Sequence, residues 1–196
     1  MNTKIFIVTF SLFTVFSSFA QEARYGIKSA VISKVIFDAL GQKIEGIQYI
    51  DDHGNKESVS VNMPHLETVD AFYIIRTINS GDTVIKINMD DKTGQIDVLR
   101  EKPVNYLNIT QEVRAKYNIK ELGQEEIAGR LCDRYSMEYM QKDLRILTNI
   151  WIWKGIVLKS EYTDGAIYIT ELATDVKENI NVSDEHFIIP DNITIQ

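Results

Sequence analysis

The sequence predicts a mainly β protein built on an antiparallel sheet, and three observations carry that expectation. Turn signals recur at short, regular spacing from residue 26 to the C-terminus. The segments between them are rich in Val, Ile, Thr and Tyr, and several alternate apolar with polar residues, the period of a strand with one wet face. Only one stretch repeats with a helical period.

The chain opens with a secretory signal peptide by its pattern. Lys4 supplies the positive start, residues 5–19 are apolar or hydroxyl-bearing, and Ser18-Phe19-Ala20 offers small residues for cleavage, so residues 1–20 are expected to leave and Gln21 to begin the mature chain. The apolar run is short for a membrane span, and no later stretch approaches the roughly 20 apolar residues that spanning needs. No Cys follows the run to take a lipid. The expectation is a soluble exported protein, periplasmic or extracellular, with no integral membrane span and a single domain over residues 21–196.

Strands are expected at residues 27–37, 44–50 and 58–63, the last two flanking the loop Asp51-Asp52-His53-Gly54-Asn55. Residues 69–78 run into Asn79-Ser80-Gly81-Asp82 and return at 83–89, with Ile85, Ile87 and Met89 on one face and Lys86 and Asn88 on the other. Asp90-Asp91-Lys92-Thr93-Gly94 then turns into residues 95–99. The helix falls at residues 108–117: Asn108 or Thr110 caps it, Glu112 sits in its first turn, and Arg114 and Lys116 lie near its end. Ile109, Val113 and Tyr117 give it a narrow apolar stripe. After Gly123 the β pattern resumes, with Leu131, Tyr135, Met137 and Tyr139 expected on one face of residues 130–139. A hairpin at 148–153 and 156–162, a strand at 166–176 and the apolar stop Phe187-Ile188-Ile189-Pro190 complete the chain.

Composition bounds the partners. The formal net charge is −7 and no basic cluster occurs, which argues against nucleic acid as a partner. Cys132 is the single cysteine, so an intramolecular disulfide is impossible; it is either a quiet structural thiol or an intermolecular or reactive one. No catalytic signature is present, and His53, His65 and His186 sit in expected loops or near ends. The Asp90 to Gly94 turn has Lys92 where a calcium loop needs an oxygen ligand. The reading is non-enzymatic, with no catalytic residue, no metal site and no cofactor.

The densest apolar block is Ile150-Trp151-Ile152-Trp153-Lys154-Gly155-Ile156-Val157-Leu158. Trp151 and Trp153 share one face of a strand, Ile150 and Ile152 the other, so both faces need a cover of protein or ligand. Either the hairpin is core, or one face walls a cavity for an acyl chain or another apolar ligand. On the second reading the ligand-binding residues are Trp151, Trp153, Ile156 and Leu158, with Val113 and Tyr117 from the helix as part of the cover. A two-residue turn pairs Trp153 with Ile156 and Trp151 with Leu158; a three-residue turn shifts this by one.

Gly123-x-x-x-Ile127-Ala128-Gly129-x-x-Cys132-x-x-Tyr135, the Trp hairpin through Glu161, Ala173-Thr174-x-Val176-x-x-Asn179-Ile180-x-Val182 and Phe187-x-Ile189-Pro190 follow in order. In order and spacing this set resembles exported bacterial proteins of unknown function grouped with the outer-membrane lipoprotein carrier (LolA-like) superfamily. The resemblance implies a strongly curved antiparallel sheet or unclosed β-barrel with one or two short helices as a cover. It also implies a lipid or lipidated protein as ligand, with outer membrane biogenesis as the setting. The alternative is an envelope structural or protein-interaction module that takes an envelope protein partner.

Overall fold

The computed structural model describes residues 23–64, 72–80, 83–99, 103–141 and 143–196; the expected signal segment, His65 and the start of the strand expected at Val69 lie outside the described residues. Two antiparallel meanders make the fold. The first runs through β1 (Ala30–Phe37), β2 (Lys43–Asp51), β3 (Lys56–Pro64), β4 (Phe72–Ser80), β5 (Thr83–Asn88) and β6 (Thr93–Val98). The second runs through β7 (Lys120–Ile127), β8 (Arg130–Gln141), β9 (Leu144–Trp153), β10 (Ile156–Thr163) and β11 (Tyr168–Glu178), with α1 (Gln111–Lys116) between the two and β12 (Thr194–Ile195) at the C-terminus.

The strands join into one 12-stranded sheet in the order β12-β6-β5-β4-β3-β2-β1-β11-β10-β9-β8-β7. The seam between the meanders is β11 returning antiparallel to β1, Ile32 opposite Val176. The sheet is curved and does not close, since β7 and β12 are its edges. It is therefore an unclosed sheet rather than a closed barrel.

α1 is shorter than the stretch read from sequence, and its ends explain why. Thr110 caps it, its Oγ1 accepting from the Val113 N–H at 3.3 Å. At the other end Asn118 adopts φ +44°, the Ile119 N–H reaches the Arg114 carbonyl at 2.9 Å, and the helix stops in a Schellman arrangement.

The strand pattern departs from expectation at β8. Leu131 is 62% exposed, whereas Cys132 is fully buried. Leu131 pairs with Glu126 of the edge strand β7, while Cys132 joins the cluster around the Trp residues. The polar tail is also more structured than its composition suggests: β12 pairs parallel with β6, Thr194 opposite Thr93.

Two apolar clusters flank the second meander. The larger collects Tyr25, Ile27, Ile32, Ile50, Cys132, Trp151, Trp153, Ile156, Leu158 and Val176, and so draws on both meanders. The smaller holds Met137, Ile150 and Ile152 under Tyr106, Ile109, Tyr117 and Ile119. Residues 23–29 strap the larger cluster. Arg24 and Tyr25 donate backbone N–H groups to the His53 carbonyl, and Gly26 N–H donates to the Lys154 carbonyl at 2.9 Å. Buried Glu57 anchors the strap by accepting from Arg24 Nη1 at 2.9 Å, Tyr25 OH at 3.0 Å, Asn79 Nδ2 at 3.3 Å and Gln48 Nε2. A buried carboxylate with four donors is a satisfied one. Burial, with the Glu57 carboxylate beside it, pushes the Tyr25 hydroxyl well above its ordinary range.

Candidate functional site

The Trp hairpin turns at Lys154 and Gly155, with φ of +50° and +85°. Positive φ at both central positions is the two-residue turn that fits the twist of paired strands. Trp153 accordingly faces Ile156. A bulge at Leu158 then shifts the ladder, so Trp151 faces Lys159 rather than the Leu158 that an unbroken two-residue register gives. A bulge places two residues opposite one, which brings both Leu158 and Lys159 beside Trp151.

The hairpin is sealed on both sides by protein. Trp151 is 1% exposed and Trp153 is 9% exposed, and Ile156 and Leu158 are fully buried with them. Trp151 Nε1 donates to Glu125 Oε2 at 2.7 Å. Its ring carries Lys159 Nζ at 4.0 Å and the Arg134 guanidinium at 4.8 Å from its centroid, and the Trp153 ring carries Lys154 and Arg130 at 4.6 and 5.3 Å. Three of these cations are themselves paired: Lys159 with Glu161, and Arg130 and Lys154 with Glu178. Tyr117 packs on the opposite face, over Ile150 and Ile152, and Val113 is half-buried on α1. The six residues singled out from sequence thus divide between two faces of the sheet instead of converging on one surface.

An open space lies elsewhere, on β1 to β4. A groove of about 540 Å³ is lined by Val35, Ile47, Tyr49, Ile74, Ser60 and Arg76, with Lys43 and Glu45 among its further lining residues. Register builds it. Ser33, Ile47, Ser60, Arg76 and Ile87 are successive cross-strand partners from β1 to β5, and partners share a face. Ile47 and Ile74 remain 38% and 41% exposed in mid-strand. The C-terminal segment borders this face: the His186 ring stacks on Tyr49 at 3.7 Å, and Arg76 Nη1 donates to the Glu185 carbonyl at 3.4 Å. Burial, reinforced by the Arg76 charge and opposed by Glu185, holds the His186 imidazole below its ordinary range.

Sequence reading missed this groove although a signal was available. Residues 44–50 carry Ile44 and Ile50 on one face and Ile47 and Tyr49 on the other, the same two-faced apolar pattern that drew attention to the Trp hairpin. The remaining polar candidates are plain. His53 is an exposed turn residue, and the Asp90-Asp91 stretch is a hairpin turn in which Asn88 Oδ1 accepts from both backbone N–H groups at 3.1 and 3.0 Å. Cys132 is buried, and burial raises its thiol to about 11, with the backbone hydrogen bond at Ile127 opposing the rise.

Fold and site together define a class: an unclosed, curved antiparallel sheet with a short helical segment over one face and an open groove in its first meander. No family model matches the chain, and no curated protein sequence matches it. Among solved structures it is similar to an uncharacterized conserved protein from Thermus thermophilus, with TM-score 0.55 and 8% identity over 86% of this chain and 90% of that one. It is similar also to a chain of the Pseudomonas aeruginosa MucA/MucB complex, with TM-score 0.53 and 13% identity over 89% of this chain, which spans 60% of that longer one. A putative outer membrane lipoprotein-sorting protein domain from Vibrio parahaemolyticus matches more loosely, with TM-score 0.38 and 10% identity over 84% of this chain and 92% of that one. At these identities the likeness is one of fold, which leaves function to be argued from the site. Among the described residues no helix is long and apolar enough to cross a membrane.

Proposed function

We propose that the chain is an exported, non-enzymatic binding protein of the bacterial envelope, a single domain over residues 21–196 after loss of residues 1–20, that takes an apolar or amphipathic ligand such as a lipid or acyl chain. The observation that carries this reading is the groove of about 540 Å³ with Val35, Ile47, Ile74 and Tyr49 along it. Its size falls within the roughly 300–1,000 Å³ of small-molecule sites, and Ile47 and Ile74 leave apolar area for a ligand to cover. The Trp hairpin has a different part in this proposal. Trp151, Trp153, Ile156 and Leu158 form a packed wall that fixes the seam strands, while Val113 and Tyr117 belong to the cover of the opposite face.

The test is mass spectrometry of organic extracts from the purified protein, joined to titration with the neutral apolar fluorophore N-phenyl-1-naphthylamine. Co-purified lipid and saturable uptake that falls about tenfold or more in Ile47→Asp, where a charge replaces apolar contact, are expected. An empty extract together with no uptake would sink the reading.

A second reading, an envelope protein-interaction module, draws on the edge strand β7, exposed along its length except at Ile127. An unpaired edge is a template for a partner strand. Lys120, Glu121, Glu125 and Glu126 on that edge favour a partner with complementary charges over self-association.

A further inference from the structure

Among the described residues, one cation of the groove has no carboxylate partner. Lys34 is paired with Glu171, and Lys43 Nζ lies 2.8 Å from Glu45 Oε1. Arg76 is different: among the described residues no carboxylate pairs with it, and its one hydrogen bond is the long contact to the Glu185 carbonyl. Its Nε is buried without an acceptor, and Oγ of Ser60, its cross-strand partner, is buried without any partner. Both residues line the groove, beside Ile47 and Ile74. A half-buried guanidinium with a spare N–H, next to a hydroxyl free to donate, is costly to keep unless something negative completes it.

We infer that Arg76 and Ser60 form an anion subsite in the groove, which takes the oxygen atoms of a carboxylate or phosphate. The inference rests on the binding reading above and deepens it: the ligand is an anionic amphiphile, its charged head on Arg76 and Ser60 and its chain along Ile47, Ile74 and Val35. The planar fork of arginine suits this geometry, since two N–H groups can meet two oxygens of one head group. Ser60 adds a neutral donor without a second charge. The formal net charge of −7 repels anions at long range, so attraction must come from this local contact and should weaken with salt.

Palmitate, cetyl alcohol and inorganic phosphate are the probes, with binding followed by displacement of N-phenyl-1-naphthylamine for the first two and by NMR of labelled Arg76 for phosphate. Palmitate should bind about tenfold or more tighter than cetyl alcohol at about 50 mM salt, as a charge-assisted contact implies. Arg76→Gln should bring that ratio near one and Arg76→Lys should restore part of it. Ser60→Ala, which leaves the charge and the backbone ladder in place, should lower it by a smaller factor. If both chains bind equally, or if Arg76→Gln leaves the ratio unchanged, the anion subsite is overturned while the apolar reading stands. Phosphate perturbing Arg76 with neither chain bound would keep the anion subsite and overturn the lipid source. Silence from all three probes would overturn both.

Discussion

At the scale of single residues, the Trp face shows how burial redirects a functional guess. A strand with two apolar faces demands two covers, and that demand is met here by other parts of the chain. Trp151→Ala would remove a fully buried ring, strand the Glu125 carboxylate without its indole donor and leave Lys159 and Arg134 without their aromatic surface. Core truncations of this size cost about 3–5 kcal/mol. The expectation is therefore a large drop in denaturant midpoint, with apolar uptake at the groove unchanged under conditions where the variant remains folded. Cys132 makes a second residue-level case. With its thiol raised to about 11 and its side chain buried, it should resist Ellman's reagent in the native state at about pH 8 and react at once in denaturant. Fast native labelling would contradict a buried thiol.

At the scale of elements, turns and tails decide what the strands enclose. Gly155 has φ +85°, and a Cβ there would lie 2.6 Å from the Arg24 carbonyl oxygen and 3.2 Å from Leu107. Gly155→Ala should thus cost about 1–3 kcal/mol from backbone strain alone, with the N-terminal strap displaced as well; thermal unfolding reads this directly. The C-terminal segment yields a pH prediction. His186 is held below its ordinary range in the fold, so the unfolded chain binds more protons just below pH 6.5. Stability is then lost as pH falls through that window and is complete above it. His186→Phe, which keeps the stack on Tyr49 but cannot titrate, should flatten the change in Tm between about pH 7.5 and 5.5 relative to the parent. Elements were also the most legible scale in the sequence. Turn signals around segments rich in β-branched and aromatic residues exposed the positions of β2, β3, β5, β9 and β10, and the capping pattern exposed α1. β7 was hidden because an edge strand of Lys, Glu and Gln residues has no apolar period.

At the scale of the molecule, legibility ended where pairing becomes non-local. Ile47, Ser60 and Arg76 are separated by intervals that carry no local signal, and only the ladder β1-β2-β3-β4 sets them in one row. The seam is equally non-local. Its bulge between Ser33 and Lys34, facing β11, and the bulge at Leu158 together re-aim side chains, so face assignments made strand by strand do not carry across it. Yet the seam is what unites the protein, because the larger cluster takes Ile32 and Ile50 from the first meander and Trp151, Leu158 and Val176 from the second. Sharing one core should make the two meanders unfold together. Both Trp residues lie in β9, so their fluorescence reports the second meander, whereas far-ultraviolet circular dichroism reports all strands. The two signals should trace a single coincident transition. Ile50→Ala, a truncation in the first meander costing about 2–5 kcal/mol, should move the fluorescence midpoint as far as the dichroism midpoint. A fluorescence midpoint that stays in place while the dichroism curve splits would mean that β1 and β11 join two independently stable halves, and that the groove can open without disturbing the Trp hairpin.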